Sequence, residues 1–310
     1  MEQYTSAFDY NNTRGSVVTI GTFDGVHIGH KAILKKLIDS AKKSDLESVV
    51  LTFFPHPRMV VQKDSNIKLI NTLSEKTLLL EKTGLDQLVV HPFTKEFSRM
   101  TAVEYVRDIL VNQLNAKKII IGYDHRFGRN RTANINDLRD FGKTYNFEVV
   151  EISAQELDDV AVSSTKIRKA LGNGNIETAN GFLGYNYSIS GTVVNGKAIG
   201  RTLDYPTANL TIEEDYKLIP EKGIYITQAE IDKKTVFGMT SIGTNPTVGG
   251  IDRTIETFFL NFEGDLYGKK ITLEFLKHIR NEIHFENVEK LKAAIKEDEQ
   301  FTRKYLSENG

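Results

Sequence analysis

At 310 residues the chain is about twice the size of one ordinary domain, so two separately folding cores are expected. Forty basic against forty-one acidic residues leave a formal charge of -1, which removes the electrostatic case for a nucleic-acid or membrane partner. The lack of cysteine excludes a disulfide framework, a thiolate zinc site and a cysteine nucleophile together, and fits a cytoplasmic location. Residues 1–15 carry no apolar secretion-signal core, and no apolar run approaches the roughly 18 residues needed to span a bilayer, so a soluble protein is expected.

In chain order, β-rich runs occupy residues 17–20, 48–54, 87–93, 117–122 and 147–152, and helical periodicity fills most of the intervals. In residues 31–43, for example, Ile33, Leu34, Leu37, Ile38 and Ala41 share one face, and 73–82, 102–114 and 136–145 read the same way. Strands alternating with helices predict an α/β domain with a mostly parallel sheet and a ligand crevice beyond the C-terminal strand ends. After residue 171 the run Gly172-Asn173-Gly174-Asn175 is rich in turn formers, and the domain boundary is placed near Tyr185, giving domains 1–184 and 185–310. Strand-like segments at 188–194, 223–230, 235–242, 253–262 and 271–275 are then separated by Gly, Asn and Pro. This predicts a small antiparallel β-barrel closed by an amphipathic helix over 287–306, with Asn195-Gly196 signalling a hairpin.

Residues 17–30 read VVTIGTFDGVHIGH, a buried strand running through a glycine turn into the first helix. Gly21, Gly25 and Gly29 permit close approach of a ligand, and the helix N-terminus offers amides to phosphate. His27 and His30, three apart, can lie together at the helix mouth and stabilise charge on an α-phosphate and a departing pyrophosphate; a solvated helix start or half a metal site fits them in isolation. Residues 162–168, VSSTKIR, combine capping hydroxyls with Lys166 and Arg168, and alone would read as an ordinary N-cap.

In the second half, Pro206 biases Tyr205 to an extended conformation, so Thr207 and Asn209 point to one side and present two neutral oxygens suited to Mg²⁺ arriving with ATP phosphates; a plain turn is the alternative. In TIETFFLNF, residues 254–262, alternation places Glu256 on a face with Thr254, Phe258, Leu260 and Phe262. A carboxylate buried there is either paired for structure or poised as a base.

The N-terminal half resembles the adenylylating domain of prokaryotic bifunctional riboflavin kinase/FAD synthetases, within the H-x-G-H nucleotidyltransferases. The likeness includes Phe53-Phe54-Pro55-His56-Pro57 and residues 122–128, GYDHRFG, where the family usually reads Gly-x-Asp-Phe-x-Phe-Gly, so His125 is a departure. The second half resembles a riboflavin kinase domain from GTVV and GRTL through PTANL, IGTNPTVGG and ETFFLNFEGDLYG to Arg280-Asn281-Glu282. Tyr185-Asn186 and Asp204 depart from the usual Arg-Pro and Gly. The resemblance implies a Rossmann-like nucleotidyltransferase followed by a kinase barrel, with Mg²⁺, ATP as co-substrate, and riboflavin, FMN and FAD as substrates or products. It further implies that His27 and His30 contact the ATP phosphates, that Ser164 and Arg168 hold the polyphosphate, and that Gly21, Phe23, Asp24, Gly29 and Asp124 shape the nucleotide and flavin crevice. Glu256 becomes the base toward the riboflavin 5′-hydroxyl and Thr207 and Asn209 the metal ligands. Gly191 to Gly200 becomes the nucleotide loop, and Arg280 borders the flavin. Two alternatives stand beside this reading: a nucleotidyltransferase for another small phosphorylated acceptor, and a flavin-binding regulator without turnover, against which the joint presence of His27, His30, Thr207, Asn209 and Glu256 argues.

Overall fold

The computed structural model describes residues 1–11, 13–62, 66–153, 162–196, 205–247 and 250–309, with backbone only at 245–247 and 250–252. The chain divides into two compact units, Met1–Ser164 and Thr165–Gly310.

The first unit is a six-stranded, all-parallel sheet in the order β1-β4-β3-β2-β5-β6. Its strands are β1 (Glu2–Tyr4), β2 (Ser16–Ile20), β3 (Glu47–Phe54), β4 (Gln87–Pro92), β5 (Ala116–Gly122) and β6 (Glu148–Ile152). The run SVVTI becomes a central strand because every one of its residues is buried. Alternation splits the sheet between two cores: Val18, Ile20, Val49, Leu51, Ile119 and Ile121 enter one, and Val17, Val50, Leu88, Val90 and Ile120 the other. Helix α1 (Ile28–Lys43) covers the second core with Leu34, Leu37 and Ala41 from the stripe seen in the sequence. Helices α2 (Pro57–Val61) and α3 (Leu73–Glu81) lie between β3 and β4, and α5 (Ile135–Tyr145) between β5 and β6. The helix expected over 102–114 forms as α4 (Ala102–Glu104) followed directly by a π-helical stretch, Tyr105–Gln113. Edge strand β1, paired with β4 through Glu2 and Gln87, is too short to carry a periodic signal.

The second unit begins in α6 (Ser164–Gly172) and α7 (Ile176–Leu183) and closes as a barrel in the order β10-β11-β8-β7-β12-β9. Its strands are β7 (Ser188–Val194), β8 (Ala208–Thr211), β9 (Gly223–Ile231), β10 (Lys234–Thr247), β11 (Gly250–Phe259) and β12 (Lys270–Arg280), followed by α8 (Val288–Asn309). The turn-rich run 172–175 ends α6 and caps α7, whose Asn175 side chain accepts from the Thr178 amide. Asn180 of α7 joins the barrel by donating to the Phe275 carbonyl at 2.8 Å and accepting from the Tyr187 amide at 2.7 Å. Inside, Thr227, Thr240 and Thr257 are buried and linked at 2.8 Å across three adjacent strands, so their hydroxyls satisfy one another.

Two sequence expectations are corrected. Asn195-Gly196 is not a two-residue hairpin turn: β7 pairs with β8, which starts only at Ala208, with Val194 opposite Asn209. The face carrying Glu256 is not the deeply buried one. Ile255, Thr257 and Phe259 fill the barrel, while Glu256 and Phe258 lie half-buried on the other side.

Candidate active sites

The β2–α1 connection bends sharply. Phe23 and Val26 take positive φ (46° and 36°) and Gly25 reaches 91°. A Cβ at Gly21 would meet the Phe23 ring at 3.1 Å, so the close approach of that ring favours glycine. Asp24, buried, fixes the turn: its Oδ1 accepts from the Ile70 amide at 2.9 Å and the Asn71 amide at 3.4 Å, and its carbonyl accepts from the Ser164 hydroxyl at 2.9 Å. Ser164 thus joins the glycine turn directly. Arg168 lies four residues further along α6, in the second unit.

His27 is the N-cap of α1, its Nδ1 accepting from the His30 amide at 3.3 Å. In the neutral ring this bond leaves the proton on Nε2, a donor suited to a phosphate oxygen. The two rings stack with centroids 3.6 Å apart and 17° between planes, and Phe23 packs on His30 at 4.9 Å. Burial holds His27 down to about 4. His30 is lowered well below its ordinary value by burial, then by His27 and Lys76, and its Nδ1 is buried without a hydrogen-bond partner. The pair is therefore neutral at physiological pH and acts by hydrogen bonding rather than by charge. Gly29, buried in the first turn of α1, brings the helix backbone close to the same place.

Sequence reasoning missed Lys76. This α3 residue is 8% exposed, and its Nζ donates to the Thr22 carbonyl at 3.2 Å and to Thr52 Oγ1 at 3.1 Å. Burial pushes its ammonium down to about 8, partly offset by the Asp24 carboxylate. A lysine inside a helical stripe is its only sequence signal. A set of aromatic rings was likewise missed: Phe53 meets Phe93 and Phe97, Phe97 meets Tyr105, and Tyr105 meets Phe127, at centroid distances of 5.5–6.0 Å. Phe53 lies next to the end of β3, Phe93 and Phe97 follow β4, and Phe127 follows β5, so the rings gather at C-terminal strand ends. His125 stacks on Phe127 at 6.0 Å with its Nε2 buried and unpartnered, and burial lowers it to about 4. Asp124 is exposed beside it.

In the barrel, Glu256 stands directly opposite Asn209 on β8 and Ser241 on β10, so the three side chains share one face. Thr207 Oγ1 donates to Glu256 Oε2 at 3.2 Å. The Asn209 side chain lies under Gly196, where a Cβ would fall 2.3 Å from Nδ2. The structure therefore brings Thr207, Asn209 and Glu256 together, and adds Ser241. Gly191 is required by strand packing, since a Cβ there would meet the Thr211 carbonyl at 2.7 Å. Gly200 and Asp204 lie outside the described residues. Arg280 makes a two-pronged ion pair with buried Asp298 of α8, Nη2 to Oδ2 at 2.7 Å and Nε to Oδ1 at 2.9 Å, and lies over the Phe285 ring. Tyr205 donates to Glu299 at 3.0 Å and packs edge-on against Phe258, which fixes the start of the Thr207–Asn209 segment. Asn186, one of the departures, donates to Glu274 at 3.2 Å. Among the described residues no group of three or more His, Cys, Asp or Glu side chains is set to hold a metal ion. Hydroxyl, amide and single carboxylate oxygens are nevertheless the donors that suit a Mg²⁺ bound chiefly by substrate phosphates.

Comparison with known proteins matches residues 9–166 to FAD synthetase and residues 183–306 to riboflavin kinase. A bifunctional riboflavin kinase/FMN adenylyltransferase of Listeria monocytogenes is 36% identical over 94% of this chain and 92% of its own. The protein of the same description from Escherichia coli is 36% identical over 94% and 93%. Among solved structures, a Streptococcus pneumoniae protein described as a macrolide-efflux protein superposes with a TM-score of 0.88 at 31% identity, covering 97% of this chain and 98% of that one.

Proposed function

Because the chain belongs to the bifunctional riboflavin kinase/FMN adenylyltransferase family, we propose that it phosphorylates riboflavin to FMN in its barrel and adenylylates FMN to FAD in its parallel-sheet unit. The observation that carries the reading is the carboxylate of Glu256 held by Thr207 and facing Asn209 in a chain that also stacks a neutral histidine pair at a helix mouth. We draw the division of labour at 184/185; the two family matches, ending at 166 and beginning at 183, support that placing.

In the adenylyl transfer, an FMN phosphate oxygen forms a bond to the ATP α-phosphorus as the bond to pyrophosphate breaks. His27 and His30 donate to phosphate oxygens, in hydrogen bonds that strengthen as charge builds on the departing group. Gly21, Phe23 and Asp24 give the turn its shape, and Ser164 and Arg168 are assigned to the polyphosphate on the strength of the family resemblance. The aromatic rings at the strand ends offer an apolar wall to the flavin, beside Asp124. In the kinase reaction Glu256 takes the proton of the riboflavin 5′-hydroxyl while the γ-phosphoryl group passes to its oxygen and ADP departs. Thr207 and Asn209 would hold Mg²⁺, which supplies charge neutralisation on the polyphosphate. Arg280, fixed by Asp298, borders the flavin, and residues 191–200 the nucleotide.

No helix among the described residues is long and apolar enough to cross a membrane, and the cysteine-free composition fits the cytoplasm. The test is incubation with riboflavin, ATP and Mg²⁺ followed by chromatography of the flavins. FMN and then FAD are expected, and chelation of Mg²⁺ stops both. If no flavin nucleotide appears in any redox state, the enzyme reading gives way to a flavin binder.

A further inference from the structure

Lys76 carries an inference that rests on the adenylylation reading above. Its ammonium is buried, yet among the described residues no carboxylate oxygen lies within ion-pair distance of it; its hydrogen bonds go to a carbonyl and a hydroxyl, Thr22 O and Thr52 Oγ1. Neutral donors would make those bonds with a smaller desolvation cost. A cation kept in such a place acts on charge nearby. The titratable groups around it are Asp24 and His56, which line with it a cavity of about 10 Å³, and His30, whose protonation its charge opposes. The Glu75 carboxylate is turned away to the Thr72 amide. Thr22 belongs to the strained turn that leads to the histidine pair, and Thr52 to the end of β3, so one ammonium ties that turn to the sheet.

We infer that Lys76 is a positioning residue for adenylyl transfer: from beneath the glycine turn it ties the Thr22 carbonyl to the Thr52 hydroxyl at the end of β3, so that the imidazole pair meets ATP in one fixed arrangement. It touches no substrate. Its effect passes through His30 and the turn, so its loss is expressed in kcat more than in KM.

The test uses the full chain with Lys76→Met, which keeps length but removes charge and donors, and Lys76→Arg, which keeps the cation. Lys76→Met is expected to lower kcat for FMN adenylylation by roughly 10–10²-fold, the scale of a small misplacement of reacting groups. Riboflavin phosphorylation stays at the wild-type rate. The thermal midpoint stays near wild type, because relief of the buried charge offsets the lost hydrogen bonds. The acid limb of the adenylylation pH profile moves upward in Lys76→Met, as His30 protonates more easily, and stays in place in Lys76→Arg. A well-folded Lys76→Met with wild-type kcat and acid limb overturns the inference. So does a Lys76→Met that melts far below wild type, which would make the lysine a structural tie, or a Lys76→Arg whose acid limb shifts as far as that of Lys76→Met. Wild-type protein that makes no FAD from FMN overturns the adenylylation reading itself, an outcome distinct from all of these.

Discussion

In the parallel-sheet unit the proposed reactive groups hang on one strained turn and the first turn of one helix, so their geometry is set locally, by Asp24, Lys76 and Ser164 gripping the turn. In the barrel they come from a segment and neighbouring strands, Thr207 ahead of β8, Asn209 on β8 and Glu256 on β11, brought together by strand register and by the Tyr205 contacts that hold the segment. The first site buries two imidazoles and holds them neutral. The second leaves a carboxylate half-buried with a hydroxyl partner. Hydrogen bonding to a polyphosphate that brings its own charge can be met by neutral donors in a fixed array. Accepting a proton from an alcohol needs a carboxylate that the substrate can reach, which partial exposure provides.

The largest expected effect separates the two sites. Glu256→Gln keeps shape and the Thr207 contact but removes the base, and should lower riboflavin phosphorylation by roughly 10²–10⁴-fold while FMN adenylylation continues. Next, His30→Ala should lower FAD formation from FMN by about 10²–10³-fold, the scale of losing one donor to developing charge, with FMN formation from riboflavin unchanged. Steady-state rates of both reactions in both variants, with circular dichroism to establish folding, check the pair. If each substitution lowered both reactions equally in folded protein, the contrast between the sites would collapse into one shared centre.

Much of this was legible in the sequence because it was local. The strand-turn-helix reading of residues 17–30 needed only periodicity and glycine, and the antiparallel barrel needed only strand spacing and turn residues. What was hidden depends on contacts distant in sequence. Lys76 shows in the sequence only as a lysine inside a helical stripe until Thr22 and Thr52 are seen beside it. The aromatic wall is assembled from four separate segments. Asn195-Gly196 carried the right turn chemistry, but β7 finds its partner beyond it at β8. Glu256 was placed on the correct alternating face, and only the closed barrel shows that this is the outer one.

The neutral histidines set a pH dependence on the first unit. The folded value of His27, about 4, lies below the ordinary 6.5, so between these values the unfolded chain binds more protons than the folded one. Stability therefore falls as pH drops through that window, by on the order of 3 kcal/mol for this group, and is constant in this respect above it. His27→Asn preserves the N-cap, since asparagine is a good cap, but removes the titration. Urea unfolding from pH 7 to pH 4 should show the variant losing less stability than wild type, by about one proton's worth of slope. An unchanged slope would mean that His27 takes up its proton in the folded protein as readily as in the unfolded chain, and the account of a ring held neutral by burial would fail.

The smallest expected effect concerns His125, the ring that stands where relatives usually carry phenylalanine. Its Nε2 is buried without a partner, and an orphaned polar atom of this kind costs about 1 kcal/mol or more. His125→Phe retains the stacking on Phe127 while removing that atom, and should raise the thermal midpoint slightly. It should also remove part of the acid sensitivity described for His27, because burial lowers His125 in the same direction. The barrel provides the control, since riboflavin phosphorylation should not respond. Calorimetry at pH 7 and pH 5, with KM for FMN measured on the same preparations, decides the matter. A stabilised variant with unchanged KM makes His125 a tolerated polar substitution in an aromatic wall. A destabilised variant with raised KM shows instead that the imidazole nitrogen bonds to the flavin, and the contrast drawn between a hydrogen-bonding phosphate end and an apolar flavin end of this site would have to be redrawn.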